Sequence, residues 1–265
     1  MTGSPVRSKN LNWDITLNFD KARTTIEKLP GDLPFYYDSD PWVFGSVRSQ
    51  VAVGQSLANL SGFTFEKNNK GQLLISPTTG LPIQATTDYV TIGDRQPDFK
   101  FSLINSISYK SISLAFNLDF RKGGDVFNAN EMMMVMNGAS VRTLDREQPR
   151  VITGVLKDGF ENTDKPSINT IAITPYFRNN YYNGVIAESD YIESVNWMRL
   201  RDITISYDLS QKILKRQKLV KSANIFATGT DLFIITNYSG MDPNVNALNS
   251  SNVKGFGGAG IDYGA

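Results

Sequence analysis

The strongest constraint in the sequence is an alternation of apolar and polar residues over 99–121, FKFSLINSISYKSISLAFNLDFR. Most large apolar side chains fall on odd numbers before Lys110-Ser111 and on even numbers after it. A period of two is typical of β-strands, and a change of parity across two residues predicts a hairpin with a two-residue turn. Opposed residues share a face, so the hairpin has one apolar face and one polar face. The predicted pairs are Tyr109 with Ile112, Ile107 with Leu114, Leu103 with Leu118, and Phe101 with Phe120.

The same alternation recurs in three other segments of the chain. LNWDITLNFD at 11–20 and RLRDITISYDL at 199–209 each predict one strand with a single apolar face. ANIFATGTDLFII at 223–235 begins in phase and then shifts to Leu232 and Ile234, which predicts a β-bulge near Gly229. The sequence therefore predicts an antiparallel sheet of about five amphipathic strands.

The connections between these strands differ greatly in length. The segments 21–98, 122–198 and 236–265 are long, whereas the connections at 110–111 and 210–221 are short. If the strands run alternately up and down, all long segments fall at one end of the sheet, and the short turns and the N-terminus fall at the other. Short turns at one end and long loops at the other are typical of outer-membrane barrels. Within the second long segment, Asn128 followed by Glu131 predicts a capped helix through EMMMVMNG.

Composition narrows the possible functions. A net charge of +1 with 20% charged residues provides no basic surplus for binding nucleic acid. The chain has no cysteine and no histidine, so thiolate nucleophiles, imidazole bases and Cys or His metal sites are excluded. An enzyme would need two carboxylates converging in a cleft, and the spacing of pairs such as Glu188 and Asp190 favours solvated loop charges instead. We therefore expect a protein that is not an enzyme and that has no catalytic residues, metal site or cofactor.

Several phrases resemble, in this order, the C-terminal barrel of SusC/RagA-like TonB-linked outer-membrane transporters: VTIGDRQPDFKFSL, SYKSISLAFNLDFRKGGDVFN, YIESVNWMRLRDITISYDL and ATGTDLFIITNYSGMDPNVN. The opening TGSPVRSKNLNWDITLNFDKART is similar to an earlier strand and loop of the same barrel. The resemblance implies an all-β fold, an antiparallel transmembrane barrel of the 22-stranded type with long extracellular loops. It also implies the outer membrane of a Gram-negative bacterium and contact with its lipid.

The resemblance implies a function and partners as well. Members of this family import glycans or peptides, a SusD-type lipoprotein closes over the outer mouth, and the TonB complex supplies energy through the plug. Residues 1–265 are expected to be a C-terminal portion of such a barrel, without a plug domain, a signal peptide or the closing strand. An alternative is a soluble or surface-attached β-sandwich that binds carbohydrate, in which the apolar face packs against a second sheet.

Two sets of residues are candidates for the functional site. Charged residues on the polar face would line a water-filled lumen or contact the plug; they are Lys100, Asp119, Arg121, Asp202 and Asp208. Aromatic residues in the predicted outer loops could stack on sugar rings, although ordinary loop packing is the favoured role; they are Tyr36, Tyr37, Trp42, Tyr181 and Tyr182. Aromatic rings near both ends of the hairpin's apolar face, such as Phe101 and Tyr109, suit the two girdles of a bilayer.

Overall fold

A computed structural model of the chain describes residues 1–37, 47–175, 181–209, 222–244 and 261–262. The chain forms two compact units, and each is built from three stretches of sequence. The sheet unit comprises Met1–Ala22, Pro97–Gly124 and Val195–Tyr238. The loop unit comprises Arg23–Gln96, Asp125–Ser194 and Ser239–Ala265.

Most of the regular structure is β-strand. In chain order the strands are β1 (Thr2–Arg7), β2 (Leu11–Asp20), β3 (Phe35–Tyr37), β4 (Arg48–Ala52), β5 (Asn59–Phe65), β6 (Leu74–Ile75), β7 (Gln84–Asp94), β8 (Phe99–Tyr109), β9 (Ile112–Lys122), β10 (Asp125–Asn128), β11 (Arg150–Val151), β12 (Val155–Leu156), β13 (Ala172–Ile173), β14 (Ile192–Ser194), β15 (Trp197–Asp208), β16 (Asn224–Thr236) and β17 (Ile261–Asp262). The helices are α1 (Ala129–Met136) and α2 (Tyr181–Gly184), with short 3-10 turns at Val141–Thr143 and Glu188–Tyr191. Among the described residues, no helix has the length and apolarity needed to span a membrane.

The sheet unit contains one antiparallel sheet with the order β1-β2-β8-β9-β15-β16. The predicted hairpin is present as β8 and β9, and all four predicted pairs are confirmed by the register. Lys110 in its two-residue turn has φ +54°, which matches the positive φ that tight hairpin turns favour because their twist suits the strands. The sequence prediction of five strands was one short, because β1 adds a sixth strand beside β2.

The long connections all start or end at the same edge of this sheet. The row of paired residues at that edge is Asp20, Lys100, Arg121, Trp197 and Thr236. The two-residue turn at 110–111 lies at the opposite edge, where β15 ends at Asp208 and β16 begins at Asn224, as predicted. The connection at 8–10, which was not predicted, lies there too. The N-terminus was wrongly predicted to lie there too. Because β1 runs back along β2, the Met1 ammonium donates to Leu17 O at 2.9 Å, well along the sheet.

A bulge interrupts the pairing of β9, β15 and β16. Arg201 of β15 is an extra residue relative to β9, and Asp231 and Leu232 of β16 face it as a pair. Asp231 takes the left-handed backbone conformation with φ +49°, which Asp tolerates better than most residues. The bulge was predicted near Gly229, but the predicted change of phase was wrong. Relative to β9, the bulge adds two residues to β16. Odd-numbered residues therefore lie on the apolar face both before and after the bulge, and Phe233 is one of them.

One face of the sheet is apolar over β2, β8, β9, β15 and β16. Several large side chains on it, including Phe19, Ile205 and Ile225, keep more than half of their surface exposed. Asn105 is a buried polar residue on this face. It is 5% exposed, and its Oδ1 accepts a hydrogen bond from Trp13 Nε1 at 3.2 Å. A broad exposed apolar face with its one buried amide satisfied marks a surface for lipid or for another protein.

The loop unit has its own core. Its sheets have the orders β3-β4-β5-β7 and β14-β10-β17, with two smaller strand pairs. Buried side chains of several elements form the core: Val47, Leu60, Phe127, Ala129, Met132, Val135, Tyr182, Tyr191 and Ile261. The predicted helix is confirmed as α1, where Asn128 Oδ1 caps the first turn by accepting from Glu131 N at 2.9 Å.

Candidate functional site

The five charged residues predicted to face a lumen all lie on the polar face of the sheet. Lys100 is opposite Arg121, and Asp119 is opposite Arg199, near the edge with the long connections. Asp202 lies in the middle of the sheet, opposite Asn117. Asp208 lies at the short-turn edge, and its Oδ1 accepts from Asn224 Nδ2 at 2.8 Å. The alternation of β8, β9 and β15 therefore brings these charges to one surface.

The bulge adds charged residues that the sequence analysis missed. Arg201 Nε donates to Asp119 Oδ2 at 2.5 Å, and Arg199 forms an ion pair with Asp231 at 3.3 Å. The Arg199 guanidinium carbon also lies 5.6 Å from the centroid of the Trp197 ring. Simple alternation would assign Arg199 and Arg201 to the apolar face, because both share odd parity with Ile203. The bulge reverses the parity and turns both guanidiniums to the polar face.

Neutral polar groups fill the surface between these charges. Ser102 Oγ donates to Asn117 Oδ1 at 3.0 Å, and the hydroxyls of Thr204 and Thr228 lie 2.9 Å apart. The face carries similar numbers of cations and anions: Arg7, Lys100, Arg121, Arg199 and Arg201 against Asp14, Asp20, Asp119, Asp202, Asp208 and Asp231. Neither sign dominates, so this surface has no strong preference for an anionic or a cationic solute.

The first predicted loop aromatics lie in β3. The side chain of Tyr36 is 42% exposed. Tyr37 packs in an aromatic cluster, with its ring centroid 5.8 Å from that of Tyr89 and 4.8 Å from the Arg48 guanidinium carbon. Trp42 lies outside the described residues. Among the described residues, Tyr36 thus remains exposed beside a cation–π cluster that holds its neighbour Tyr37 in place.

The second pair of loop aromatics, Tyr181 and Tyr182, is part of a packed polar cluster. Arg150 lies over both rings, with its guanidinium carbon 5.2 and 5.5 Å from their centroids. Asp145 pairs with Arg150 and accepts from the Tyr182 hydroxyl at 2.6 Å. Tyr182 is only 8% exposed. The adjoining cavity of about 30 Å³ has room for roughly two water molecules, which is too little for a sugar ring.

Burial shifts the titration of groups around that cavity. It raises the pKa of Tyr191 to about 12 and also raises the pKa of the Tyr181 hydroxyl. It raises the pKa of the Asp190 carboxyl as well, an effect that the positive charges of Arg142 and Lys67 partly oppose. An aspartate that holds its proton more tightly when folded weakens the folded state once pH rises above its unfolded pKa.

Asp190→Asn is therefore expected to stabilise the loop unit at pH 7 and to have little effect at pH 3, below the unfolded pKa of about 3.9. Amide hydrogen exchange of the loop unit at both pH values measures this. Asp164→Asn is the control, because its carboxylate is fully exposed. If Asp190→Asn instead destabilised the loop unit at pH 7, the ionised carboxylate of Asp190 would be needed to hold Arg142.

Potential metal ligands do not converge in the part of the chain that the structure describes. No group of three or more carboxylates comes together there at a distance that could hold an ion. Glu188, one of the carboxylates considered for catalysis, is 4% exposed, and its Oε2 accepts from Phe63 N at 3.1 Å. This carboxylate therefore ties the 3-10 turn to β5.

Curated relatives match nearly the whole chain. TonB-dependent receptor P3 of Formosa agariphila is 22% identical over 280 residues, which cover 98% of this chain and 26% of the relative. TonB-dependent receptor P26 of the same organism is 24% identical over 258 residues, which cover 90% of this chain and 24% of the relative. No family model matches the sequence. The chain spans about a quarter of the length of the curated relatives it matches.

Solved structures match the fold. A chain of the RagAB peptide importer in its 'open-open' state aligns with a TM-score of 0.58 at 17% identity, over 98% of this chain and 26% of that chain. A chain of the same importer in its 'closed-closed' state aligns with a TM-score of 0.55 at the same identity and coverage. The predicted class is thus confirmed: the chain is a relative of the TonB-dependent receptors. Its fold of antiparallel strands is that of part of such a receptor's β-barrel, as predicted.

Proposed function

We propose that this chain forms part of the wall and the extracellular loops of a TonB-dependent importer in the outer membrane of a Gram-negative bacterium. The importer takes up glycans or peptides, works with a SusD-type lipoprotein at its outer mouth, and draws energy from the TonB complex. The observation that carries the proposal is the two-faced sheet, whose long connections leave and rejoin it at one edge among the described residues. Relatives that are TonB-dependent receptors support the same assignment.

Strand length supports a membrane wall. The five strands with the apolar face are 10 to 13 residues long, and a tilted transmembrane strand needs about 9–11 residues. The apolar face then faces lipid, with Phe101 near the outer leaflet and Tyr109 near the periplasmic turn. The sheet unit has a single sheet among its described residues, whereas a β-sandwich needs a second sheet to cover the apolar face.

The polar face supports a hydrated passage. Its charges would line the lumen or contact the plug; the predicted ones are Lys100, Asp119, Arg121, Asp202 and Asp208, to which we add Arg199 and Arg201. Paired charges and hydroxyls present both donors and acceptors, which suits sugar hydroxyls or peptide amides better than it suits a strongly charged solute. Among the loop aromatics, Tyr36 has the exposed ring that stacking on a sugar or a peptide side chain requires.

Uptake assays test the proposal. Cells that lack the chain are expected to lose uptake of one class of labelled solute, either oligosaccharides or peptides, and the native chain is expected to restore it. Uptake should also stop when the proton gradient that drives the TonB complex is collapsed. A SusD-type lipoprotein should copurify with the chain from detergent extracts. Recovery of the chain in the soluble fraction, or uptake that does not depend on the gradient, would contradict the proposal.

A further inference from the structure

The apolar face carries a groove at the edge where the long connections leave the sheet. The groove has a volume of about 550 Å³, which is within the range of pockets that bury small ligands. Its floor is formed by apolar side chains of four strands: Phe99, Phe101, Phe120, Met198 and Ile235. Asn196, Asn237 and Lys122 lie at its margin. An apolar solute could therefore lie across the strands at this level of the sheet.

The floor is continuous because its residues are in register. Phe101 pairs with Phe120, Phe120 with Met198, and Met198 with Ile235. The rings of Phe101 and Phe120 are nearly parallel, with centroids 4.2 Å apart, and the ring of Phe99 lies 6.3 Å from that of Phe101. Aromatic pairs in such geometry attract one another beyond their buried area, so the rings pack together as one continuous floor.

Lys122 ends the apolar row of β9 with a positive charge. It is opposite Phe99 in the register and follows Phe120 by two residues, so its side chain belongs to the apolar face. It is exposed, and no carboxylate is among the described residues that line the groove. The lysine of the hairpin turn differs, because the Lys110 ammonium lies 5.2 Å from the Tyr109 ring centroid. Among the described residues, the end of the apolar face with the long connections thus combines an apolar groove with an exposed ammonium.

We propose that this groove binds a membrane lipid with a net negative charge, with an acyl chain on the phenylalanine floor and the anionic headgroup against Lys122. The inference rests on the proposed function, since it requires the apolar face to contact lipid. Charge complementarity selects the occupant: an ammonium beside an apolar groove matches an amphiphile with one anionic end. A lipid without net charge would fill the floor but gain nothing from Lys122.

Lipid titration of the purified protein tests this. The chain is extracted from membranes as it occurs there, delipidated in detergent and titrated by native mass spectrometry with phosphatidylglycerol or phosphatidylcholine of identical acyl chains. Phosphatidylglycerol is expected to bind more tightly, and Lys122→Gln is expected to weaken it about fivefold while leaving phosphatidylcholine unchanged. Lys9→Gln, at the short-turn edge, should leave both unchanged. Ile235→Trp, which fills the groove at an exposed position, should weaken both lipids.

Two outcomes would overturn the inference in distinguishable ways. In the first, the protein requires detergent for extraction, but Lys122→Gln keeps the preference for phosphatidylglycerol or Lys9→Gln removes that preference equally. The proposed lipid site is then wrong, while the proposed membrane wall is unaffected. If the protein is released from the membrane fraction without detergent, the proposed function itself fails and the lipid site fails with it.

Discussion

Leu103→Arg is expected to block assembly of the chain into the membrane, because under the proposed function it places a charge in the middle of the lipid-facing surface. Leu103 is central in β8 on the apolar face, between Leu17 of β2 and Leu118 of β9. A lipid-facing arginine near the bilayer midplane costs about 2–4 kcal/mol. The measurement is the fraction of chain that sediments with outer membranes and resists alkaline extraction. That fraction should fall sharply for Leu103→Arg and for Leu118→Arg.

Ile104→Arg is the matched control for this substitution. Ile104 is the next residue of β8 and is also a large aliphatic side chain, but it lies on the polar face and is 41% exposed. An arginine there would join the charges of a hydrated surface, so assembly should be close to that of the native chain. Equal loss with both variants would mean that the two faces are not lipid and water, and it would favour the β-sandwich alternative.

Phe127→Ala is expected to unfold the loop unit. Phe127 is fully buried at the centre of that unit's core, and its backbone pairs with both β14 and β17. Removing a buried phenylalanine side chain costs about 3–5 kcal/mol, which is a large share of the roughly 5–15 kcal/mol that stabilises a typical domain. Limited proteolysis and amide hydrogen exchange should show lost protection in β5 and β10, with β8 and β9 still protected.

Phe160→Ala is the control for the core substitution, because Phe160 also belongs to the loop unit but is 61% exposed. Truncation at an exposed position of this kind usually changes stability by less than about 0.5 kcal/mol. If Phe127→Ala removed protection from β8 and β9 as well, the two units would not be separately stabilised, contrary to the presence of a distinct core in the loop unit.

Features that depend on local chemistry were predictable from the sequence. The register of β8 and β9 follows from the parity change across Lys110-Ser111, because a two-residue turn leaves only one pairing that keeps the apolar residues together. Helix α1 follows from the side chain of Asn128, which satisfies a backbone N–H of the first turn wherever such a turn forms. Both signals act within a few residues, so tertiary context did not override them.

Features that depend on distant pairing were not predictable. β1 contains Gly3 and Pro5 and shows no alternation; it forms because β2 offers a partner, and its register shifts between Gly3 and Val6. Proline is tolerated there because β1 is the edge strand of the described sheet. The Arg201 bulge was missed because its position is decided by pairing with β9 and β16. The burial of Tyr182 likewise depends on Asp145 and Arg150, which are distant in sequence.

Under the proposed function, the odd-numbered residues of β8 face lipid and the even-numbered residues face water. Because the sequence has no cysteine, single substitutions such as Ser102→Cys, Leu103→Cys, Ser106→Cys and Ile107→Cys can each carry one spin label in membranes. Labels at 103 and 107 are expected to be accessible to oxygen dissolved in lipid, and labels at 102 and 106 to a water-soluble nickel complex. Equal access of the nickel complex to all four positions, or the opposite phase, would contradict this orientation of β8.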